Sequence, residues 1–331
     1  MILYSLIFIT LLLSGCVGEK SCGCHSELQL TFTYELNSQS VNLFETHIDK
    51  VTLFIFDGDD KYVGTYVEEG EHLINDYVMR IPLEEGSDYS VIAYGGDMVG
   101  YNSGELNQEL GELSELVVGQ SDISNFYTEL ESTLSDGEFL SADSEISHLY
   151  VGLAQGLVST PSCGEVEVVE LIKNTNDITV TVTGVDSYDS ELDTYITSAN
   201  GRHSYTNDSD AAFGTHKYTP TSSVSGDNSS EHSIRVMRLT TDSGEPLSVA
   251  RWMTRSGDEG ATTLVVSTGD DSTQSLYSDD LVELILSSPD YNSQEDLDRE
   301  DSYSVEVALV NSVFVIISVN GWIVNEITPD F

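Results

Sequence analysis

From His25 onward the chain alternates apolar and polar residues with a period of two. In LQLTFTYEL, Leu28, Leu30, Phe32, Tyr34 and Leu36 fall on one face and Gln29, Thr31, Thr33 and Glu35 on the other. Successive side chains of an extended chain point to opposite faces, so this pattern predicts a half-buried strand. VTLFIF (51–56), DGDD and KYVGTYV (61–67) predict a strand, a turn and a second strand, with Asp and Gly supplying the turn chemistry. YVMRIPL (77–83), GSDY and SVIAYGG (90–96) repeat the arrangement.

Residues 100–147 break the pattern. They are rich in Ser, Glu, Asp, Gly and Leu, as in ELNQELGELSEL, and suggest short helical turns inside a long connection. SHLYVGLAQGLV (147–158) returns to strand composition, and STPSCGE (159–165) carries the breakers of a linker or chain reversal. A second series begins with VEVVEL (166–171) and DITVTVTGV, where Ile178, Val180 and Val182 alternate with threonines. Residues 186–232 are polar and predict long loops. SIRVMRL, TTLVVST and LVELILSS follow as further strand-like segments, and the chain closes on DSYSVEVALVNSVFVIISVNGWIVNEI. No sustained helical amphipathicity competes, so the expected class is all-β: two tandem β-sandwiches over residues 28–160 and 161–331.

The start of the chain reads differently. Ile2 to Leu13 is an uncharged run of twelve residues, too short at about 1.5 Å per residue to cross a ~30 Å hydrocarbon core. Its length suits the apolar region of a signal peptide, with Ser14 and Gly15 as the small residues before a cut. An ordinary signal peptide and a buried helix are the plain alternatives. Leu13-Ser14-Gly15-Cys16 also resembles a bacterial lipobox, which implies a signal peptide over 1–15, lipidation at Cys16, and a tether over 16–27. The n-region departs from that pattern, having no Lys or Arg.

Charge narrows the partners. Of 331 residues, 57 are acidic and 12 basic, giving a net charge of −45. Such a surface repels phosphate backbones and anionic headgroups, which argues against nucleic-acid binding. Salt screens self-repulsion on this scale, so a saline habitat is one expectation. The 39% hydrophobic fraction is enough for sizeable cores.

Candidate chemistry is sparse. The chain has no Gly-x-Ser-x-Gly, His-Glu-x-x-His or Walker loop, so no catalytic residue, cofactor or metal ligand is assigned. Its seven histidines are scattered, only His203 and His216 lying near each other within a polar stretch. The carboxylate groups Asp57-Asp59-Asp60, Asp270-Asp271, Asp279-Asp280 and Glu295 to Asp301 read as solvated turns in so acidic a chain. Besides Cys16 there are Cys22, Cys24 and Cys163. A bridge between Cys22 and Cys24 would need strained geometry, Cys163 with either of those two could close a long loop as a disulfide, and zinc binding with His25 is a weaker option.

Several segments in order resemble one family. The lipobox is followed by a Cys-x-Cys spacer, then LQLTFTYEL, IDKVTLFIFDGDDKYVGTY, VEVVELIKNTNDITVTVTG, DLDREDSYSVEVALV and VFVIISVNGWIVNEI. The series resembles the FimB/Mfa2 family of fimbrial anchor lipoproteins of Bacteroidota. That resemblance implies transthyretin-like sandwiches on a lipid tether at the cell outer membrane, anchoring or initiating a fimbrium by β-strand addition with pilin subunits. It also implies no enzymatic activity. Related pilins are cut after an arginine that follows their first strand, whereas here no arginine precedes Arg80. The first strand, Leu28–Leu36, and the closing segment, Val313–Val324, are the expected pairing edges. A surface glycan-binding lipoprotein using aromatics such as Trp252 is the alternative, and a secreted hydrolase is a third class.

Overall fold

The structure is a computed structural model that describes residues 26–135, 139–142, 145–161, 165–187, 192–241, 262–268, 271–311 and 313–324. In chain order it carries β1 (Ser26–Thr33), β2 (Lys50–Asp57), β3 (Tyr62–Glu69), β4 (Met79–Pro82), β5 (Asp88–Gly95), β6 (Tyr101–Asn107), β7 (Glu112–Ser114), β8 (Phe126–Leu130), β9 (Ser132–Ser135), β10 (Phe139–Ala142), β11 (Tyr150–Val158) and β12 (Thr160–Pro161). There follow β13 (Glu167–Glu170), β14 (Ile172–Lys173), β15 (Thr175–Thr183), β16 (Leu192–Ser198), β17 (Arg202–Ser204), β18 (His216–Tyr218), β19 (Ser222–Gly226), β20 (Ser229–Met237), β21 (Thr263–Thr268), β22 (Asp271–Asp280), β23 (Ser302–Val310), β24 (Val313–Val319) and β25 (Trp322–Ile323). The helices are short: α1 (Phe44–His47), α2 (Leu281–Leu286) and α3 (Gln294–Arg299).

The architecture is all-β, with two transthyretin-like sandwiches. In the first, the sheet β14-β11-β5-β2-β3 faces a smaller one built around β1, with β4 on one side and β12 and β13 on the other. Leu28, Leu30 and Phe32 of β1 meet Val51, Leu53 and Ile55 of β2 and Val91 and Ala93 of β5 in one core. The other face of β2 is covered too. Phe54 and Phe56 pack on Phe126 of β8, with ring centroids 4.9 and 5.9 Å apart. A third sheet, β17-β8-β6-β7, supplies that cover. VTLFIF is therefore apolar without alternation because both its faces are buried, and each aromatic pair adds about 0.5–1.5 kcal/mol beyond area burial.

In the second sandwich, β19-β20-β15-β23-β24-β25 packs on β22-β21-β16-β18-β10-β9. Ile178, Val180 and Val182 of β15 and Tyr303, Val305 and Val307 of β23 share its core with Ile196, Leu264 and Val266. β15 and β23 run parallel, in register from Asp177↔Ser302 to Thr183↔Ala308. The two bodies also exchange segments. β13 pairs parallel with β1, and Val169 and Leu171 lie in the first core although they follow residue 160. In return, β10 joins the second sandwich through Leu140↔His216.

Three sequence expectations change. ELNQELGELSEL forms a hairpin rather than helical turns: β6 and β7 flank a turn in which Asn107 Oδ1 accepts the N–H groups of Glu109 and Leu110, at 3.0 and 3.2 Å. Residues 186–232 hold the strands β16 to β19 and the start of β20 rather than long loops. LVELIL is helix α2 rather than a strand. Asp280 caps it by accepting the Glu283 N–H at 3.0 Å, and Leu281, Val282, Leu284, Ile285 and Leu286 are all buried.

Candidate functional site

Strand addition requires a sheet edge, so the position of each candidate strand decides its role. β1 is not an edge. Leu30 pairs with Met79 on one side and Glu167 on the other, and Leu28, Leu30 and Phe32 are at most 1% exposed. The expectation for the first strand is thereby overturned: its regular alternation fixes an interior register.

Among the described residues the closing segment does end its sheet. β24 pairs with β23 along Val305↔Val319 to Val310↔Val313, and its other side carries the two-residue β25 through Ser318↔Ile323 and Val319↔Trp322. Phe314, Ile316 and Val319 belong to the core, whereas Val313, Trp322 and Ile323 are 59, 44 and 58% exposed. The turn into β25 is Asn320-Gly321, with φ of +47° and +77°. Two successive left-handed residues suit a hairpin's twist, and Asn-Gly adopts them with little strain. Asn320 Oδ1 accepts the Ser304 N–H at 2.7 Å and its amide donates to Tyr291 Oη at 2.7 Å, so the turn that presents Trp322 is held firmly. From Val307 to Asn325 the sequence has no charged residue, although 21% of the chain is charged.

A polar seam fixes this sandwich to the first. Tyr34 Oη, from the first core, donates to Asp301 Oδ1 at 2.5 Å. Tyr34 and Tyr150 pack edge to face at 5.0 Å, and His47 Nδ1 lies 3.1 Å from Tyr150 Oη. Beside them, Asp177 accepts from Arg235 Nε at 2.7 Å and stands 3.6 Å from both Lys173 Nζ and His148 Nε2. Burial, then the Lys173 charge, pushes His148 down to about 4, against the pull of Asp177. Burial followed by the Asp301 hydrogen bond drives the Tyr34 hydroxyl far above its ordinary range.

The two histidines singled out in the sequence are packed inside. His203 is 2% exposed; its Nδ1 lies 3.0 Å from Asn174 Nδ2 and 3.1 Å from Asn207 Oδ1, and its Nε2 lies 3.3 Å from Ser209 Oγ. His216, 1% exposed, packs at a tilt against Phe213 with its Nε2 3.2 Å from Ser132 Oγ. Burial pushes both down to about 4. They fill buried positions of polar strands that have no apolar period, which is why the sequence pattern missed those strands.

The carboxylates have structural partners. Asp57 accepts the N–H groups of Asp59 and Lys61 in its own turn, Asp280 caps α2, and Asp298 receives both arms of Arg238 at 2.6 and 2.7 Å. Among the described residues no group of His, Cys, Asp and Glu stands close enough to hold a metal, and no helix is long and apolar enough to cross a membrane. Every described Lys and Arg already has a carboxylate within ion-pair distance, so the exposed charge is almost wholly negative. Cys16, Cys22, Cys24, His25, Cys163 and Trp252 lie outside the described residues.

Solved structures share this fold. A candidate polysaccharide-binding protein of Bacteroides thetaiotaomicron superposes with a TM-score of 0.70 at 20% identity, covering 92% of this chain and 98% of its own. A candidate adhesin of the same organism gives a TM-score of 0.67 at 21% identity, with 90 and 97% covered. The fimbrial anchor protein Mfa2 of Porphyromonas gingivalis gives 0.67 at 17% identity, with 91 and 99% covered. No curated protein matches in sequence. The family model of fimbrillin-A associated anchor proteins Mfa1 and Mfa2 matches residues 20–328, nearly the whole length, and the chain belongs to that family.

Proposed function

We propose that this chain anchors or initiates a fimbrium, tethered to the outer membrane by acyl chains on Cys16 and joined to pilin subunits by strand addition at the β24–β25 end of its second sandwich. Family membership gives it a fimbrial or adhesive role at the cell envelope. The observation that carries the finer proposal is the uncharged closing hairpin, in which Trp322 and Ile323 stand exposed at the end of a sheet. Proteins ordinarily blunt such edges with charge or proline, because open edges invite pairing with other chains. Here an otherwise heavily acidic protein leaves the edge apolar. Main-chain hydrogen bonds then supply affinity and alternate side-chain contacts supply register.

Two experiments test the proposal. Cys16→Ser is expected to release the protein from the membrane or leave the precursor uncut, since each buried acyl CH₂ contributes about 0.8 kcal/mol. Mature variant protein that still partitions with the detergent phase would remove the tether. Trp322→Asp with Ile323→Asp is expected to keep the wild-type melt and lose capture of pilin subunits from solubilised surface fibres. Undiminished capture would place the contact elsewhere.

A further inference from the structure

The first sandwich has a second edge with different chemistry. A cleft of about 940 Å³ opens at its side, where β3 ends one sheet and β4 borders the other. Tyr66 of β3 and Leu83 beyond β4 give it apolar walls and pack on the core behind them. Asp57, Asp59, Glu84 and Asp88 also line it, and no Lys or Arg does. None of these four carboxylates is within ion-pair distance of a cation among the described residues, and Asp59, Glu84 and Asp88 are exposed.

β3 offers backbone as well as charge. Its first residue is tied down, with Tyr62 N–H donating to Ser121 O at 2.9 Å and Gly119 N–H donating to Tyr62 O at 2.8 Å. Beyond that point its ladder runs to β2 alone, from Ile55↔Gly64 to Lys50↔Glu69, which leaves the outer side of residues 65–69 open among the described residues. Val67 is 51% exposed on this strand. The five open positions of this edge, with Tyr66 lining the cleft, have about the length of a typical short strand.

We propose that this cleft is a docking site for an extended, lysine- or arginine-bearing segment of another protein, added as a strand on β3. The choice of occupant follows from charge. A second copy of this chain brings another −45 and is repelled. A segment with cations on one face finds the carboxylates of the cleft, none of them ion-paired among the described residues, and the open edge of β3 beginning beside Tyr66. This site belongs to the first sandwich and the closing hairpin to the second, and it stands or falls separately from the fimbrial proposal.

The test uses the purified full chain and a labelled octapeptide alternating lysine and valine, with a glutamate–valine peptide as control. The lysine peptide is expected to bind in dilute salt, weaken as NaCl rises, and slow hydrogen exchange at the amides of residues 65–69. Asp59→Asn, Glu84→Gln and Asp88→Asn together are expected to weaken it at least tenfold with the melt unchanged. A matched set at exposed positions elsewhere, Glu109→Gln, Glu115→Gln and Asp227→Asn, is expected to change affinity less than twofold. Equal losses from both sets, or protection elsewhere than β3, mean attraction to bulk negative charge and overturn the proposal. So does failure of the lysine peptide to bind.

Discussion

Acidification should destabilise this protein through His203, by an amount the structure sets. The ring is 2% exposed and lies among Asn174, Asn207 and Ser209. Arg238, held by Asp298, donates to Asn207 O at 3.1 Å and brings a fixed positive charge alongside. Burial first and Arg238 second push the histidine from 6.5 down to about 4. The native state therefore excludes a proton that the unfolded chain accepts. The stability this contributes is complete above pH 6.5 and is lost as pH falls to about 4. At about 1.36 kcal/mol per pH unit, the loss is about 3 kcal/mol. Many carboxylates titrate nearby, so the comparison must be differential. Urea unfolding of the wild type and His203→Gln, in 1 M NaCl to suppress background repulsion, is expected to show a stability gap that narrows by about 3 kcal/mol between pH 7 and pH 4. Parallel pH profiles for the two proteins would refute the burial argument.

Other outcomes follow from the same physics. Asp298→Asn leaves the Arg238 guanidinium, 13% exposed, without its bidentate partner, and is expected to cost about 3–5 kcal/mol by urea unfolding. Adding Arg238→Met should recover much of that loss, and an unchanged midpoint in the single variant would mean the pair contributes nothing. Because every described cation is already paired, the −45 charge acts as unrelieved repulsion. The melting temperature is expected to rise from dilute buffer to 1 M NaCl, as the Debye length falls from ~30 to ~3 Å; a melt independent of salt would remove the saline-habitat expectation.

What the sequence revealed depended on where burial is one-sided. Ile178, Val180 and Val182 alternate with threonines because β15 buries one face, and β1 alternates for the same reason. The edge status of β1 could not be read, because alternation reports which face is buried and not how many neighbours a strand has. The strands between residues 192 and 218 escaped notice because buried Asn200, Arg202, His203 and His216 take the place of apolar residues, and the bonds that hold Asn200 and Arg202 reach far along the chain. Arg202, for example, is held by Glu129 of β8 and Gly111 O. Helix α2 did leave a local signal, Asp280 three residues before Glu283, but LVELIL by itself has no turn-by-turn polar face to set it apart from a strand. The closing edge was the legible part of the candidate site: NGW marks a hairpin whose turn residues take positive φ. The cleft beside β3 was not legible, because it joins turns at 57–59 and 84–88 that only the fold brings together.

The central claim is that this protein holds a fimbrium to the cell, and fibre attachment in a deletion strain tests it most directly. Cells lacking the protein are expected to shed fibres into the medium or to carry fibres of abnormal length, as counted by electron microscopy of cells and supernatant. The wild-type gene should restore attachment, and the Trp322→Asp, Ile323→Asp gene should not. Deletion cells whose fibres remain attached and normal in length would contradict the anchor role.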